Sequence, residues 1–251
     1  MGNEAQRKTP RYLEIAAELR TAISRGDYKP GDRLPSESEL RERHDVARGT
    51  VRDALALLAA EGLTEARRGS GVYVRSFRMI RRNAAQRLSR SNWGAGRAIW
   101  DADAAGRRHD EDTQVVEIDP PQRIAGTLGL QAGDQVWRRH RLHRMEGRVV
   151  QQSTSYLPSN IVSGSPITQP NTGPGGTYAR LDELGHGPER FREEVRVRMP
   201  LPEEVAALGI ASGTPVVLIA RTAFDRNGRP VEVNEMLLDS SNYVLEYDFT
   251  S

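Results

Sequence analysis

An α+β protein built of two modules is the fold class that this 251-residue sequence predicts, and three observations predict it. The first 75 or so residues carry three helix-like stretches, followed by a short β-prone pair around a basic glycine turn. From about residue 115, a unit of helix, turn, strand, hairpin turn and strand occurs twice. Charge is divided too: residues 1–82 hold 17 Lys+Arg against 12 Asp+Glu, and the remainder 19 against 22. A basic front module suits a polyanion, and a mildly acidic second module does not.

Bulk composition limits the function classes. Hydrophobic content of 37% and charged content of 28% are ordinary for a globular chain long enough to bury two cores. No apolar run approaches the ~20 residues of a membrane span, so no membrane role is expected. The start "MGNEAQRKTPRY" lacks the apolar core of a secretory signal. The lack of cysteine excludes disulfides and thiolate metal sites and fits a cytoplasmic location.

The elements of the first module read in order. "YLEIAAELRTAISRG" places Tyr12, Ile15, Ala16, Leu19 and Ile23 on one helical stripe, with Gly26 as the stop. "DYKPGDRLP" is a turn-rich connection. "SESELRERHD" opens with a capping box, Ser36 with Glu39, and predicts a second, short helix. "HDVARGTVRDALALLAAEG" predicts a third, burying Val51, Ala54, Leu55, Leu58 and Ala59. Its first turn holds two cations, Arg48 and Arg52, where the helix dipole prefers anions. The expectation is that an external anion supplies the missing partner. "LTEARRGSGVYV" predicts a hairpin with a basic tip. Three helices and a ribbon are the winged helix-turn-helix order, in which the start of the recognition helix meets base edges in the major groove. Solvated arginines on an ordinary core helix are the plainer reading, and the basic hairpin beside them weighs against it.

"KPGDRLPSESELRERHDVARGTVRDALALLAAEGLTEARRGSGVYV" resembles the DNA-binding domain of GntR-type bacterial transcription regulators. Their pattern of Pro-Gly, Leu-Pro-Ser-Glu, Arg-x-Thr-Val-Arg and a Gly-x-Gly wing is present in order. The resemblance implies DNA contacts from Ser36, Ser38, Arg48, Thr50, Arg52, Arg68 and Gly69. Many relatives carry a basic or long polar residue at Ser38 and a Ser or Thr at Ala47, so phosphate or base contacts are lost at both.

"RSFRMIRRNAAQRLSRSNWGAGR" is rich in arginine and small residues and reads as a connector entering the second module. In the repeat, Leu128, Gly129, Gly133, Val136 and Arg141 match Leu208, Gly209, Gly213, Val216 and Arg221, and Gly147–Arg148 match Gly228–Arg229. Two such hairpin units predict a mainly antiparallel sheet. This half resembles the UTRA ligand-sensing domain of HutC-type GntR regulators, which shares the chorismate lyase fold. The domains are then a flexible 1–10, a winged helix-turn-helix domain over 11–76, a linker over 77–92, and a UTRA effector-binding and dimerisation domain over 93–251.

Effector residues come from two sources. "NTGPGGTYARLDELGHG" sets glycines before a helix whose start can bind an anion, naming Gly176 and Tyr178. Gln152 and Ser155 offer hydrogen bonds from the strand "VVQQSTSYLP". The resemblance adds a pair of strand positions, Arg141 and His143, where relatives carry two arginines that grip an anionic effector. It also adds a loop residue, Arg97, and a carboxylate, Glu232, and it notes Ser153 where an acid is typical.

The reading is a sequence-specific regulator, a repressor, bound as a homodimer to a palindromic operator and modulated by a small-molecule effector, an anion by resemblance. The alternative is an effector-independent regulator of the plasmid transfer or maintenance type whose second domain only dimerises. No acid/base pair, Ser/His/Asp order or metal-ligand cluster speaks for an enzyme, and no cofactor is expected.

Overall fold

Periodicity in the first module translates directly into packing. The structure, a computed structural model, describes residues 9–67, 69–96, 99–210 and 213–248. The chain divides into two units, Met1–Arg78 and Met79–Ser251. In the first, α1 (Arg11–Arg25) buries Ile15, Ala16 and Leu19 and stops at Gly26, whose left-handed φ of 82° lets its N–H cap the last carbonyls. Helix α2 (Glu37–His44) starts with the full capping box of Ser36 and Glu39. Helix α3 (Arg48–Ala60) buries Val51, Ala54, Leu55 and Leu58; Ala59 is half-buried. The ribbon pairs β1 (Thr64–Arg67) with β2 (Gly71–Val74) antiparallel. Residues 31–34, read as a plain connection, also bind the free side of β2: Leu34 N–H donates to Val72 O and Val74 N–H to Asp32 O. This seats Leu34 in the core with Leu40 and Val74.

The second unit begins with β3 (Ile80–Asn83), α4 (Ala84–Leu88), α5 (Arg90–Trp93) and α6 (Ile99–Ala104). Then come β4 (His109–Ile118), α7 (Gln122–Leu128), β5 (Val136–Met145), β6 (Arg148–Pro158), α8 (Ser159–Val162) and α9 (Gly176–Glu183). The chain continues with β7 (Pro188–Arg198), α10 (Pro202–Leu208), β8 (Val216–Asp225), β9 (Pro230–Asp239) and β10 (Tyr243–Glu246). Six strands form one antiparallel sheet in the order β4-β5-β6-β9-β8-β7. Each copy of the repeat is one helix–hairpin unit, α7-β5-β6 and α10-β8-β9, and the copies meet where β6 pairs β9. One face carries a core of Ile124, Leu128, Val136, Tyr156 and Val233. The other carries Trp93, Leu157, Tyr178, Leu181 and Val231.

The linker expected over 77–92 is replaced by regular structure over most of its length. Strand β3 pairs in parallel with β10, and Ile80 is fully buried. The arginines that made this stretch look solvated find distant carboxylates. Arg82 donates to both oxygens of Glu193 at 2.9 and 2.5 Å, and Arg87 to both oxygens of Asp103 at 3.1 and 2.7 Å. Periodicity does not register this, because the partners lie on other elements.

Candidate nucleic-acid interface and effector cavity

The first candidate site is the open start of α3. Its N-cap position is Ala47, whose side chain makes no capping bond. Arg48 and Arg52 extend from the first turn with side chains 70% and 68% exposed. Both approach Glu37, the first residue of α2: Arg48 Nε donates to Glu37 Oε2 at 2.7 Å, and Arg52 Nε lies 4.0 Å from Oε1. The expectation named only an anion from outside; the unit itself also holds a carboxylate that sets the two exposed guanidiniums side by side. Thr50 is half-buried between them, and Ser38 is exposed. The Ser36 hydroxyl is committed to the Glu39 N–H at 3.2 Å. At the ribbon tip Gly69 is exposed in a left-handed turn, φ 71°. Below it, Arg67 stacks over the Tyr73 ring at 4.2 Å. Arg68 lies outside the described residues.

The second candidate site is a cavity of about 470 Å³ on one face of the six-stranded sheet. Alternation along β5 turns Arg139, Arg141 and His143 into it, and along β6 it turns Gln151 and Ser153. Ser155, next on the same face of β6, receives a hydrogen bond from Arg141 Nη2 at 2.6 Å. Gln152 is therefore not in the cavity. A period of two cannot put residues 152 and 155 on one face, and Gln152 instead meets His140 on the far side at 3.3 Å. From β9 come Glu232 and Asn234, and from β8 comes Arg221. Arg97 lies outside the described residues, and its neighbour Trp100 stands against His143 with ring centroids 4.8 Å apart.

The start of α9 forms the rim. Gly175 holds φ 80°, and a Cβ there would sit 2.6 Å from both the Trp93 carbonyl oxygen and Ala179 Cβ, so only glycine fits. The loop spends much of its own donor capacity. Gly173 N–H donates to Asn171 Oδ1, Gly175 N–H to Gly96 O and Gly176 N–H to Gly173 O. Tyr178 is fully buried, and its hydroxyl donates to Glu232 Oε2 at 2.7 Å. Burial, with the Glu232 carboxylate adding to it against the opposing pull of Arg221, pushes the phenol well above its ordinary value.

Burial dominates the other ionisable groups. It lowers Arg139 to about 10, reinforced by the Arg141 charge. It holds His143 well below its ordinary 6.5, again with Arg141 and then Arg87 acting in the same direction. His143 is thus neutral at pH 7, bonded through Nε2 to Ser153 Oγ at 3.0 Å. Buried polar atoms without a hydrogen bond concentrate here: Arg139 Nε, Arg141 Nε, His143 Nδ1, Gln151 Oε1, Arg221 Nε and Asn234 Oδ1. Buried polar groups are normally paired, so such a cluster marks a place where a ligand or water completes the bonding. Arg87, Trp100, Arg139, Gln151, Arg221 and Asn234 were not named as effector residues from the sequence. The repeat holds one signal that does find Arg221, its equivalence to Arg141.

A pH dependence follows from His143. Its folded value lies below the unfolded one, so the unfolded chain takes up a proton first as pH falls below about 6.5. Its contribution to stability is complete above that pH and lost beneath it. Melting curves between pH 7.5 and 5.5 should drop more steeply for the wild type than for His143→Gln, and parallel curves would contradict the buried neutral imidazole.

Among known proteins, residues 11–74 match the family described as bacterial regulatory proteins, gntR family, and residues 106–244 match the UTRA domain. An uncharacterised HTH-type transcriptional regulator of Streptomyces coelicolor is 32% identical, covering 96% of this chain and 93% of its own. The HTH-type transcriptional repressor NagR of Bacillus subtilis is 26% identical, covering 92% and 91%. A crystal structure of a putative GntR-family regulator aligns with TM-score 0.63 at 29% identity over 97% of this chain and 98% of that one. PhnF from Mycobacterium smegmatis aligns with TM-score 0.60 at 26% identity over 94% and 99%.

Proposed function

The chain belongs to the GntR family of bacterial transcriptional regulators and carries a UTRA domain, and from that premise we propose that it is a repressor released from, or locked onto, its operator by a small-molecule effector. As a family member it is a DNA-binding regulator with an effector-binding domain and not an enzyme. The observation that carries the finer reading is the pair of structures the two units hold: an exposed arginine pair at the start of α3, and a cavity lined by unsatisfied buried donors and acceptors. A domain that only dimerises has no use for the second, which disfavours the effector-independent alternative. NagR's description as a repressor supports the same direction of control for this chain.

The operator reading is a palindrome bound by a homodimer, because a two-fold protein matches two half-sites. Edge strand β7 supports self-association: Val195 and Val197, then Met199 and Leu201, are 40%, 64%, 53% and 48% exposed, and an apolar sheet edge is a template for pairing. For an effector to act, it must bind the DNA-competent and DNA-incompetent arrangements with different affinity. The test is selection of operator duplexes from a random library, with sedimentation of the complex and a gel-shift titration in a metabolite panel. An inverted repeat bound by two chains, and a metabolite that changes its affinity, are the expected results. A single half-site bound by one chain, or affinity indifferent to every metabolite that binds, would refute the corresponding part.

A further inference from the structure

We infer that the cavity is built for a ligand carrying a single carboxylate, with a hydroxyl or amine at its far end, rather than for a phosphate ester. The inference rests on the effector reading above and narrows it.

Charge is the first argument. Four arginines line the cavity, Arg87, Arg139, Arg141 and Arg221, against Glu111 and Glu232. Behind the wall Asp103 pairs Arg87, and Glu193 lies 3.8 Å from Arg221. Glu193 is itself paired with the buried Arg82, so the five arginines and four acids of this set sum to +1, and a monoanion brings the buried site to neutrality. A phosphate ester brings close to two near neutral pH, and the second is expensive away from water.

Donors are the second argument. The Arg139 guanidinium terminus is consumed by the carbonyls of Ile167, Gln169 and Pro170. Among the described residues Arg141 is in no ion pair; it spends Nη2 on Ser155 and keeps Nε unbonded. One guanidinium with a free edge matches the two oxygens of a carboxylate, whereas a phosphate offers three oxygens to a larger donor set. The glycine loop does not supply that set, because the N–H groups of Gly173, Gly175 and Gly176 are already bonded within the protein. His143 does not supply it either, being neutral where a second cation would be needed. Glu232 and the unbonded oxygens of Gln151 and Asn234 are acceptors. They call for a ligand that also donates.

The test uses the full-length protein, melted at about 10 mM of D-gluconate, D-lactate, pyruvate, inorganic phosphate or glucose 6-phosphate, a concentration that reveals weak binding by mass action. At least one carboxylate should raise Tm by about 3–6 °C, as a concentration near ten times Kd does for a chain of this size. The shift should vanish in Arg141→Gln, and both phosphate probes should leave Tm unmoved. His143→Arg supplies a second guanidinium and should create a phosphate response; it also keeps the test open if Arg141→Gln folds poorly. A phosphate probe that stabilises the wild type, a carboxylate shift that survives Arg141→Gln, or no carboxylate shift at all overturns the inference. If a phosphate ester stabilises the protein and changes operator affinity, the effector reading stands and only the ligand class falls. If none of the five does either, the ligand class falls, and the effector reading is decided by the operator titration in the metabolite panel.

Discussion

Arg48→Ala should weaken operator binding roughly 5- to 150-fold, the ~1–3 kcal/mol of one well-placed base contact, while the fold is unchanged. The side chain is 70% exposed, and among the described residues it pairs with half-buried Glu37. Such pairs at the surface contribute about 0–1 kcal/mol, so a melting curve should barely move. Binding is where the guanidinium matters, because α3 presents it at the end of the helix that a major groove admits. Arg52→Ala should act in the same direction but with less sequence dependence, and should reduce the slope of log affinity against log salt by about one. Anisotropy titrations of operator and random duplexes at several salt concentrations separate the two. Unaltered operator affinity for both variants would remove α3 from the interface.

The largest stability effect is expected at Glu193. It sits on edge strand β7, yet it is buried and receives two hydrogen bonds from Arg82, which is fully buried on β3. Burial alone would raise its carboxyl, but the Arg82 hydrogen bonds, then the charges of Arg82, Arg221 and Arg87, hold it below the ordinary carboxylate value. Glu193→Ala leaves Arg82 without its carboxylate in the interior, and breaking a buried pair in this way costs about 3–5 kcal/mol. For a chain of this size that is a fall in Tm on the order of 10 °C. Replacing both partners, as Arg82→Met with Glu193→Leu, should recover part of the loss, because Arg82 is then no longer stranded, while Arg221 still loses the carboxylate 3.8 Å away. A single variant that melts within a degree or two of wild type would show that Arg82 reaches water or another acid.

Much of the first unit was legible because its signals are local. A stripe of period 3.6, a Ser-x-x-Glu box and a glycine stop each act within one or two turns, and α1, α2 and α3 formed where these stood. The repeat in the second half likewise announced both helix–hairpin units, since short-range hairpin chemistry sets register within each. Pairings across long separations were not legible. Nothing in "MIRRNAAQRL" states that Arg82 will meet Glu193 or that Ile80–Asn83 will lie beside Tyr243–Glu246. Gln152 was misplaced for a simpler reason: two residues three apart on a strand face opposite ways, and alternation from Ser155 through Ser153 leads to Gln151.

By itself, then, the amino-acid order determined the winged helix-turn-helix start, the duplicated α+β sheet and the family, all of them consequences of near-neighbour geometry and turn chemistry. Tertiary structure alone decided which arginines are free. Glu37 steadies Arg48, carbonyls of residues 167–170 occupy Arg139, and Glu193 takes Arg82, whereas Arg141, among the described residues, has neither an acid nor a carbonyl on its guanidinium. The physical reason is that a guanidinium's availability depends on which acceptors the fold brings within about 3 Å of it, and those acceptors come from segments far away in the chain.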